Sequence, residues 1–167
     1  MNSGSKHVLG LGSGNADCVW GTHKMNEERA FCRKGNEMIE PGVKGRSEIV
    51  VTENLTARAI GSGELDVYAT PAMIALIEET AWKSVTAYLR PGEGTVGTKL
   101  DISHVSATPI GQKVTCETEV IEVDRRRIVF QATVSDGCGL IGEGVHERFV
   151  VENERFIRKA LQKGKND

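Results

Sequence analysis

The chain has 167 residues, which suits a single domain that buries a sizeable core. Its 21 Lys and Arg residues nearly balance 23 Asp and Glu residues, for a formal net charge of −2 at pH 7. This balance gives no support to nucleic acid or an anionic membrane surface as a partner, since both attract strongly basic chains.

The cysteines and the apolar stretches indicate a reduced, cytoplasmic protein. Cys18, Cys32, Cys116 and Cys138 are scattered without a C-x-x-C pair, and no early segment has the composition of a signal peptide. No apolar stretch approaches the roughly 20 residues of a membrane span. The histidines show no local ligand spacing and no cysteine joins them, so we expect no zinc or other metal site.

Residues 1–37 contain glycine and polar clusters without a sustained helical or strand period, and we expect a flexible tail there. The segment GLGSGN lacks the Gly-Lys-Ser/Thr ending of a phosphate-binding loop, which argues against a nucleotide site. An alternative interpretation is that Met38 is the natural start and that the tail is an extended reading or an artefact.

A strand and a long apolar helix come next. GRSEIVVTENL at 45–55 has the β-branched composition of a strand, and a glycine-rich link leads from it to the helix. Thr70 is a suitable N-cap with Pro71 at the first helical position, and a Pro-Gly pair stops the helix after Leu89. We therefore expect a helix of about five turns.

Four strands follow the helix, separated by turn signals such as TPIG, DRRR and DGCG. These strands are expected at 94–107, 112–124, 127–136 and 140–153. Their short connections favour antiparallel pairing in sequence order. From Asn153 onward, apolar residues at helical spacing predict a short helix that ends before Gly164.

The order of these elements predicts an α+β domain. A helix too apolar for solvent is best buried by a curved antiparallel sheet wrapped around it, with the one long helix at the centre. This arrangement is the hotdog fold. Such sheets usually pair edge to edge, so we expect a homodimer. We assign residues 38–155 to this domain and 156–167 to the short C-terminal helix and tail.

Two adjacent carboxylates lie within the apolar helix. Glu78 falls on the apolar stripe, four residues after Ile74 and three before Ala81, whereas Glu79 is rotated about 100° towards the rim. A carboxylate on an apolar face is costly unless it is paired, and such groups often serve in acid–base catalysis. A structural bond to a backbone donor or to an arginine of the sheet explains Glu78 equally well.

Thr70 and His104 are candidates for the same site. Helix capping fully explains Thr70, but the free N–H groups at the same helix end can also hold a developing oxyanion. His104 alternates with Leu100 and Ile102 on the strand face that should cover the helix. A lone histidine on an apolar face is more often structural, and the expected nearness of Glu78 is what favours catalysis.

The last strand carries His146 and Arg148 on one face. The glycines of the GEG segment at 142–144 allow a bulge or the close approach of a ligand. For His146, pairing with acidic residues of neighbouring strands is the simpler interpretation.

From residue 39 to 155, the chain resembles the fluoroacetyl-coenzyme A thioesterase-like group of hotdog proteins. The resemblance rests on ATPAMIALIEETA, GTVGTKLDISHVSATPIGQKV and GEGVHERFVV, in this order and spacing. One departure concerns the link before Thr70, where the fluoroacetyl-selective enzyme has an aromatic lid. Here Tyr68 is the only aromatic residue of that link, so fluoroacetyl selectivity is not implied.

The resemblance implies a catalytic set of Thr70, Glu78 and His104, with Gly97 and Arg148 near the acyl group. His104 would act as general base, while Glu78 would orient the attacking group or form a transient acyl intermediate. Thr70 would position or attack the carbonyl, and backbone N–H groups such as that of Gly97 would stabilise the oxyanion. Arg148 would hold an acyl carboxylate or support Glu78.

The implied activity is hydrolysis of a small acyl-CoA thioester to the free acid and coenzyme A, with no cofactor, since coenzyme A is part of the substrate. Three alternatives stay open. A non-catalytic hotdog module would bind acyl-CoA or a small apolar ligand without turning it over. A hotdog dehydratase would need the Asp-x-Asn-Pro-x-His pattern, which no strand contains. An assembly subunit would leave the carboxylate on the apolar stripe without a role.

Overall fold

The computed structural model describes residues 33–34 and 37–164. Its main strands are β3 (Lys44–Val50), β4 (Glu93–His104), β5 (Lys113–Asp124), β6 (Arg127–Asp136) and β7 (Gly139–Glu152). The short strands β1 (Arg33–Lys34) and β2 (Glu37–Met38) pair only with each other. The helices are α1 (Ala57–Ile60), α2 (Thr70–Val85) and α3 (Asn153–Lys163).

The five main strands form one antiparallel sheet in the spatial order β3-β5-β6-β7-β4. Pairing in sequence order is confirmed for β5, β6 and β7. It is wrong for β4, which pairs with β7 at the opposite edge of the sheet from β3. Residues 105–112, which connect β4 to β5, span up to about 26 Å when extended and can cross the end of the sheet.

The apolar face of α2 is buried against the sheet. Side chains along β5 alternate between buried and more exposed, as expected for a strand covered on one face. The first half of α2 packs with one group of core residues that includes Met73 and Ile77, and the second half packs with another that includes Val85 and Phe130. Each fully buried aliphatic side chain contributes about 1.5–3 kcal/mol, so wrapping this helix is a main source of stability.

The predicted cap of α2 is wrong. The N-cap residue is Ala69, and Thr70 is already the first helical residue. The reason is that Ala69 is still extended and its N–H donates to the Leu55 carbonyl at 2.9 Å. The Thr70 hydroxyl is therefore available for another partner. At its other end α2 stops at Val85 and continues as a short 3-10 helix, Thr86–Tyr88.

The C-terminal helix forms as predicted, and none of its residues is buried. The expected flexible tail at 1–37 lies outside the described residues except for 33–34 and 37, so its boundary stays a prediction. Within the described part of the chain, no helix is both long enough and apolar enough to cross a membrane.

Gly45 lets β3 pass directly over α2. A Cβ atom at this position would lie 2.8 Å from each of Ser84 Cβ, Thr118 Oγ1 and the Thr80 carbonyl oxygen. We predict that Gly45→Ala lowers the free energy of unfolding by about 1–3 kcal/mol, because the helix or the strand must shift. Urea denaturation measures this. Gly137→Ala is the control, since its Cβ would meet only Gln112 at 3.7 Å. Equal midpoints for the two variants would contradict the prediction.

Candidate active site

Thr70 and His104 meet where α2 begins and β4 ends. The Thr70 Oγ1 atom lies 2.9 Å from His104 Nδ1. When Nδ1 is unprotonated it accepts this hydroxyl proton, which is the contact that a nucleophile and its general base require. The second ring nitrogen of His104, Nε2, is buried and has no hydrogen-bond partner among the residues that the structure describes.

A cleft of about 320 Å³ opens onto this pair. One wall comes from α1 and the link after it, including Ala57 and Ser62, and the other from residues 105–107 after β4. The Tyr68 ring stands edge-on to the His104 ring, with centroids 6.4 Å apart. Among the residues that the structure describes, no lysine or arginine lines the cleft. The entrance to the Thr70–His104 pair is thus lined mostly by small, uncharged side chains.

Glu78 lies two turns further along α2, about 12 Å from Thr70 along the helix axis. It contacts β4 at Gly97, where a Cβ atom would lie only 2.7 Å from Glu78 Oε1. The side chain is 41% exposed, close to the 46% of Glu79, so the predicted contrast in burial between these two carboxylates is small. Their partners differ more, because Glu79 pairs with Lys83 on the surface while Glu78 faces Arg148.

Arg148 is a buried cation beside Glu78. Only 4% of this residue is exposed, and its Nη1 atom lies 3.8 Å from Glu78 Oε2. The guanidinium donates to Thr95 twice, from Nε to the hydroxyl at 2.9 Å and from Nη2 to the carbonyl at 2.8 Å. Burial lowers the pKa of Arg148, and the negative charge of Glu78 acts in the opposite direction. The arginine is thereby held in one orientation.

His146 completes this arrangement in a single tautomer. Its Nε2 atom lies 3.1 Å from Arg148 Nη1, and because arginine only donates, Nε2 must accept. The proton is then on Nδ1, which donates to the Lys99 carbonyl at 3.0 Å. Burial, together with the Arg148 charge, lowers the pKa of His146. The imidazole is therefore neutral and orients the arginine.

The interpretation that His146 pairs with acidic residues is wrong. Its hydrogen-bond partners are Arg148 and a backbone carbonyl of β4, where the strand register shifts between Gly97 and Lys99. The sequence feature that pointed to the contact between His146 and Arg148 was their position on the same face of the last strand. Nothing in the sequence pointed to Thr95 as a partner of Arg148. The bulge in β4 sets which residues face each other, and strict alternation of side chains along a strand does not predict it.

The five site residues implied by the resemblance thus fall into two groups. Thr70 and His104 form one, and Glu78, Gly97 and Arg148 form the other. Within the described chain no hydrogen bond joins Glu78 to His104.

Comparison with known proteins identifies the family. The model of the family described as FlK, fluoroacetyl-CoA-specific thioesterase, matches residues 51–154. The chain belongs to this family. The fluoroacetyl-CoA thioesterase of Streptantibioticus cattleyicolor is 40% identical over 98 residues, which are 59% of this chain and 70% of that protein. The predicted family and the predicted class of enzyme, a thioester hydrolase, are confirmed.

Solved structures confirm the hotdog fold. A structure of the fluoroacetyl-CoA thioesterase FlK superposes with a TM-score of 0.73 at 33% identity, covering 76% of this chain and 98% of that chain. A thioesterase superfamily member from Thermus thermophilus superposes with a TM-score of 0.70 at 24% identity, covering 77% and 98%. The latter similarity concerns the fold alone.

We predict that His146 makes stability fall in mild acid. Its pKa in the unfolded chain is near 6.5 and is lower in the folded protein, so below pH 6.5 the unfolded state binds the extra proton. Between pH 6.5 and 5, the wild type should lose up to about 1.4 kcal/mol per pH unit more than His146→Asn. Asparagine keeps a donor for the Lys99 carbonyl without titrating. Urea denaturation at several pH values gives both slopes, and parallel curves would contradict the assignment.

Proposed function

We propose that the protein hydrolyses a small acyl-CoA thioester as a cytoplasmic homodimer, with Thr70, His104 and Glu78 as its catalytic residues. The observation that carries the proposal is the 2.9 Å contact between the Thr70 hydroxyl and His104 Nδ1 at the cleft. A mutant of the related FlK enzyme has been solved in complex with fluoroacetate and CoA, which supports a CoA thioester as the substrate here.

The first step is acyl transfer to Thr70. His104 Nδ1 takes the hydroxyl proton while Oγ1 attacks the thioester carbonyl, and the carbonyl oxygen becomes an oxyanion. The N–H groups of the first turn of α2 point towards this end of the helix and stabilise that charge. When the C–S bond breaks, the coenzyme A thiolate receives the proton from His104. The second step is attack of water on the threonine ester, with Glu78 as the base that accepts the water proton. The ester C–O bond to Thr70 then breaks, the free acid leaves, and Thr70 Oγ1 regains a proton from Glu78, which returns the site to its starting state.

A dimer is the arrangement that supplies Glu78 to the Thr70–His104 pair. β4 is an edge strand, so its outer side is available to pair with a second copy. Antiparallel pairing of the two β4 strands about a two-fold axis between Leu100 and Asp101 would place His104 of one subunit opposite Gly97 of the other. Since Glu78 lies against Gly97, each site would combine Thr70 and His104 with the partner's Glu78.

Arg148 has a supporting role in this scheme. Its guanidinium is fixed by Thr95 and His146 and lies on the carboxylate of Glu78. This contact limits the directions in which the carboxylate can point. Arg148 is therefore a positioning residue.

We predict that the wild type releases thiol from at least one member of a panel of acetyl, fluoroacetyl, short-chain and aromatic acyl-CoA substrates. Glu78→Gln and His104→Ala should each lower kcat by roughly a hundred- to ten-thousandfold, because each removes a proton acceptor. Glu79→Gln is the matched control, since among the described residues its carboxylate pairs with Lys83 on the surface, and the change should leave kcat unchanged. Binding of acyl-CoA without release of thiol would instead favour a non-catalytic module.

A second prediction concerns the shared site. Thr70→Val and Glu78→Gln should each be inactive alone, but a mixture refolded together should regain about a quarter of the wild-type activity. Half of the dimers would then be mixed, and each mixed dimer would hold one intact site. Thiol release after co-refolding measures this, and each variant refolded with itself is the control. If the mixture stays inactive although mixed dimers form, Glu78 acts within its own subunit.

A further inference from the structure

Helix α3 is amphipathic, and its apolar side is uncovered. Phe156, Ile157 and Leu161 follow helical spacing, and all three are exposed, Leu161 by 65%. The remaining surface carries four cations, Arg155, Arg158, Lys159 and Lys163. None of these cations forms an ion pair with another residue of the described chain. An uncovered helix face of this kind indicates an interaction surface.

The cleft at Thr70 and His104 has an uncovered apolar rim and an uncharged lining, which match the apolar face and the cations of α3. Its rim exposes the apolar side chain of Val105, by 61%, and the segment from α1 to its link carries two more exposed apolar residues, Ile60 and Leu65. Within the described part of the chain its lining also contains no lysine or arginine, although the nucleotide part of a CoA thioester carries several phosphate charges. Among the described residues, cations for those phosphates therefore lie outside the cleft lining.

The topology places α3 at the end of β4 opposite to the cleft. The Asn153 N–H donates to the Gly92 carbonyl at 2.9 Å, so α3 starts beside the first residues of β4. His104 and the cleft lie at the last residues of the same strand. Antiparallel pairing of two β4 strands therefore brings α3 of one subunit to the cleft of the other.

We propose that α3 docks with its apolar face on the partner's cleft rim and that its cations bind the phosphates of coenzyme A there. The inference rests on the proposed dimer and on the CoA thioester as substrate. Ile157 and Leu161 cover the partner's Val105 and the wall that contains Ser62. Arg158 and Lys163, which border the apolar stripe on its two sides, then face the cleft entrance. The second subunit thus covers part of the cleft and supplies the positive charge of the binding site.

The role of the α3 cations in binding the phosphates is tested by comparing two substrates with the same acyl group. Arg158→Gln combined with Lys163→Gln should raise KM for the acyl-CoA by roughly tenfold, as expected for two partly exposed charge contacts. KM for the matching acyl-pantetheine, which lacks the nucleotide phosphates, should change much less. Lys44→Gln is the control, because it removes a surface cation on the far edge of the sheet. An equal change for both substrates, or no change, would overturn the role of the cations.

The docking itself is tested by cross-linking, which does not depend on turnover. In a Cys18→Ser, Cys32→Ser and Cys138→Ser background, Leu161→Cys with Ser62→Cys should form a disulfide-linked dimer on mild oxidation. Cys116 is buried and stays in place. Leu161→Cys with Glu117→Cys is the control pair and should not cross-link. No dimer from the first pair, or an equal yield from Leu161→Cys alone, would overturn the docking.

The two assays also separate this inference from the proposed function. Thiol release by the wild type without cross-linking or a selective change in KM would overturn the inference and leave thioester hydrolysis standing. Cross-linking by a protein that releases no thiol from any substrate would support the docking and contradict the hydrolysis.

Discussion

The close approach of α2 to the sheet is the constraint on which the rest of the structure depends. Three strands meet the helix through glycine: Gly45 against Thr80 and Ser84, Gly97 against Glu78, and Gly142 against Met73. A Cβ atom at any of these positions would lie within 3 Å of the facing helix. The sheet therefore curves around the helix at van der Waals distance, which buries the apolar stripe and brings polar side chains of the helix directly onto the strands.

One consequence is the environment of Glu78. The carboxylate lies flat against β4 and meets a guanidinium that is almost completely buried. A buried cation is costly unless its donors are satisfied, and here Thr95, His146 and Glu78 share that task. A neutral His146 is essential to this arrangement, since a protonated imidazole would place a second donor against the arginine. Glu78 is thus part of a polar network and not an isolated charge in the core.

A second consequence is that the candidate site residues lie apart within one chain. The Thr70–His104 pair and the Glu78–Arg148 pair are separated by two turns of a rigid helix, and no side-chain rotation closes that gap. The edge position of β4 offers the simplest solution, because self-pairing joins opposite ends of the strand in two copies. In the proposed dimer the same symmetry brings α3 to the partner's cleft, so catalysis, substrate binding and assembly would depend on a single strand edge.

Much of the protein followed from its sequence alone. The apolar helix, the strands, the C-terminal helix and the hotdog arrangement came from periodicity and turn residues, because local patterns of burial determine them. The motifs around Thr70, Glu78 and His104 indicated the thioesterase family. What sequence periods could not supply is the pairing of β4 with β7, the role of Thr70 in the first turn and the partners of His146. These depend on contacts between residues far apart in the chain, such as the bond from Ala69 to Leu55 and the register shift after Gly97, and only the tertiary structure decided them.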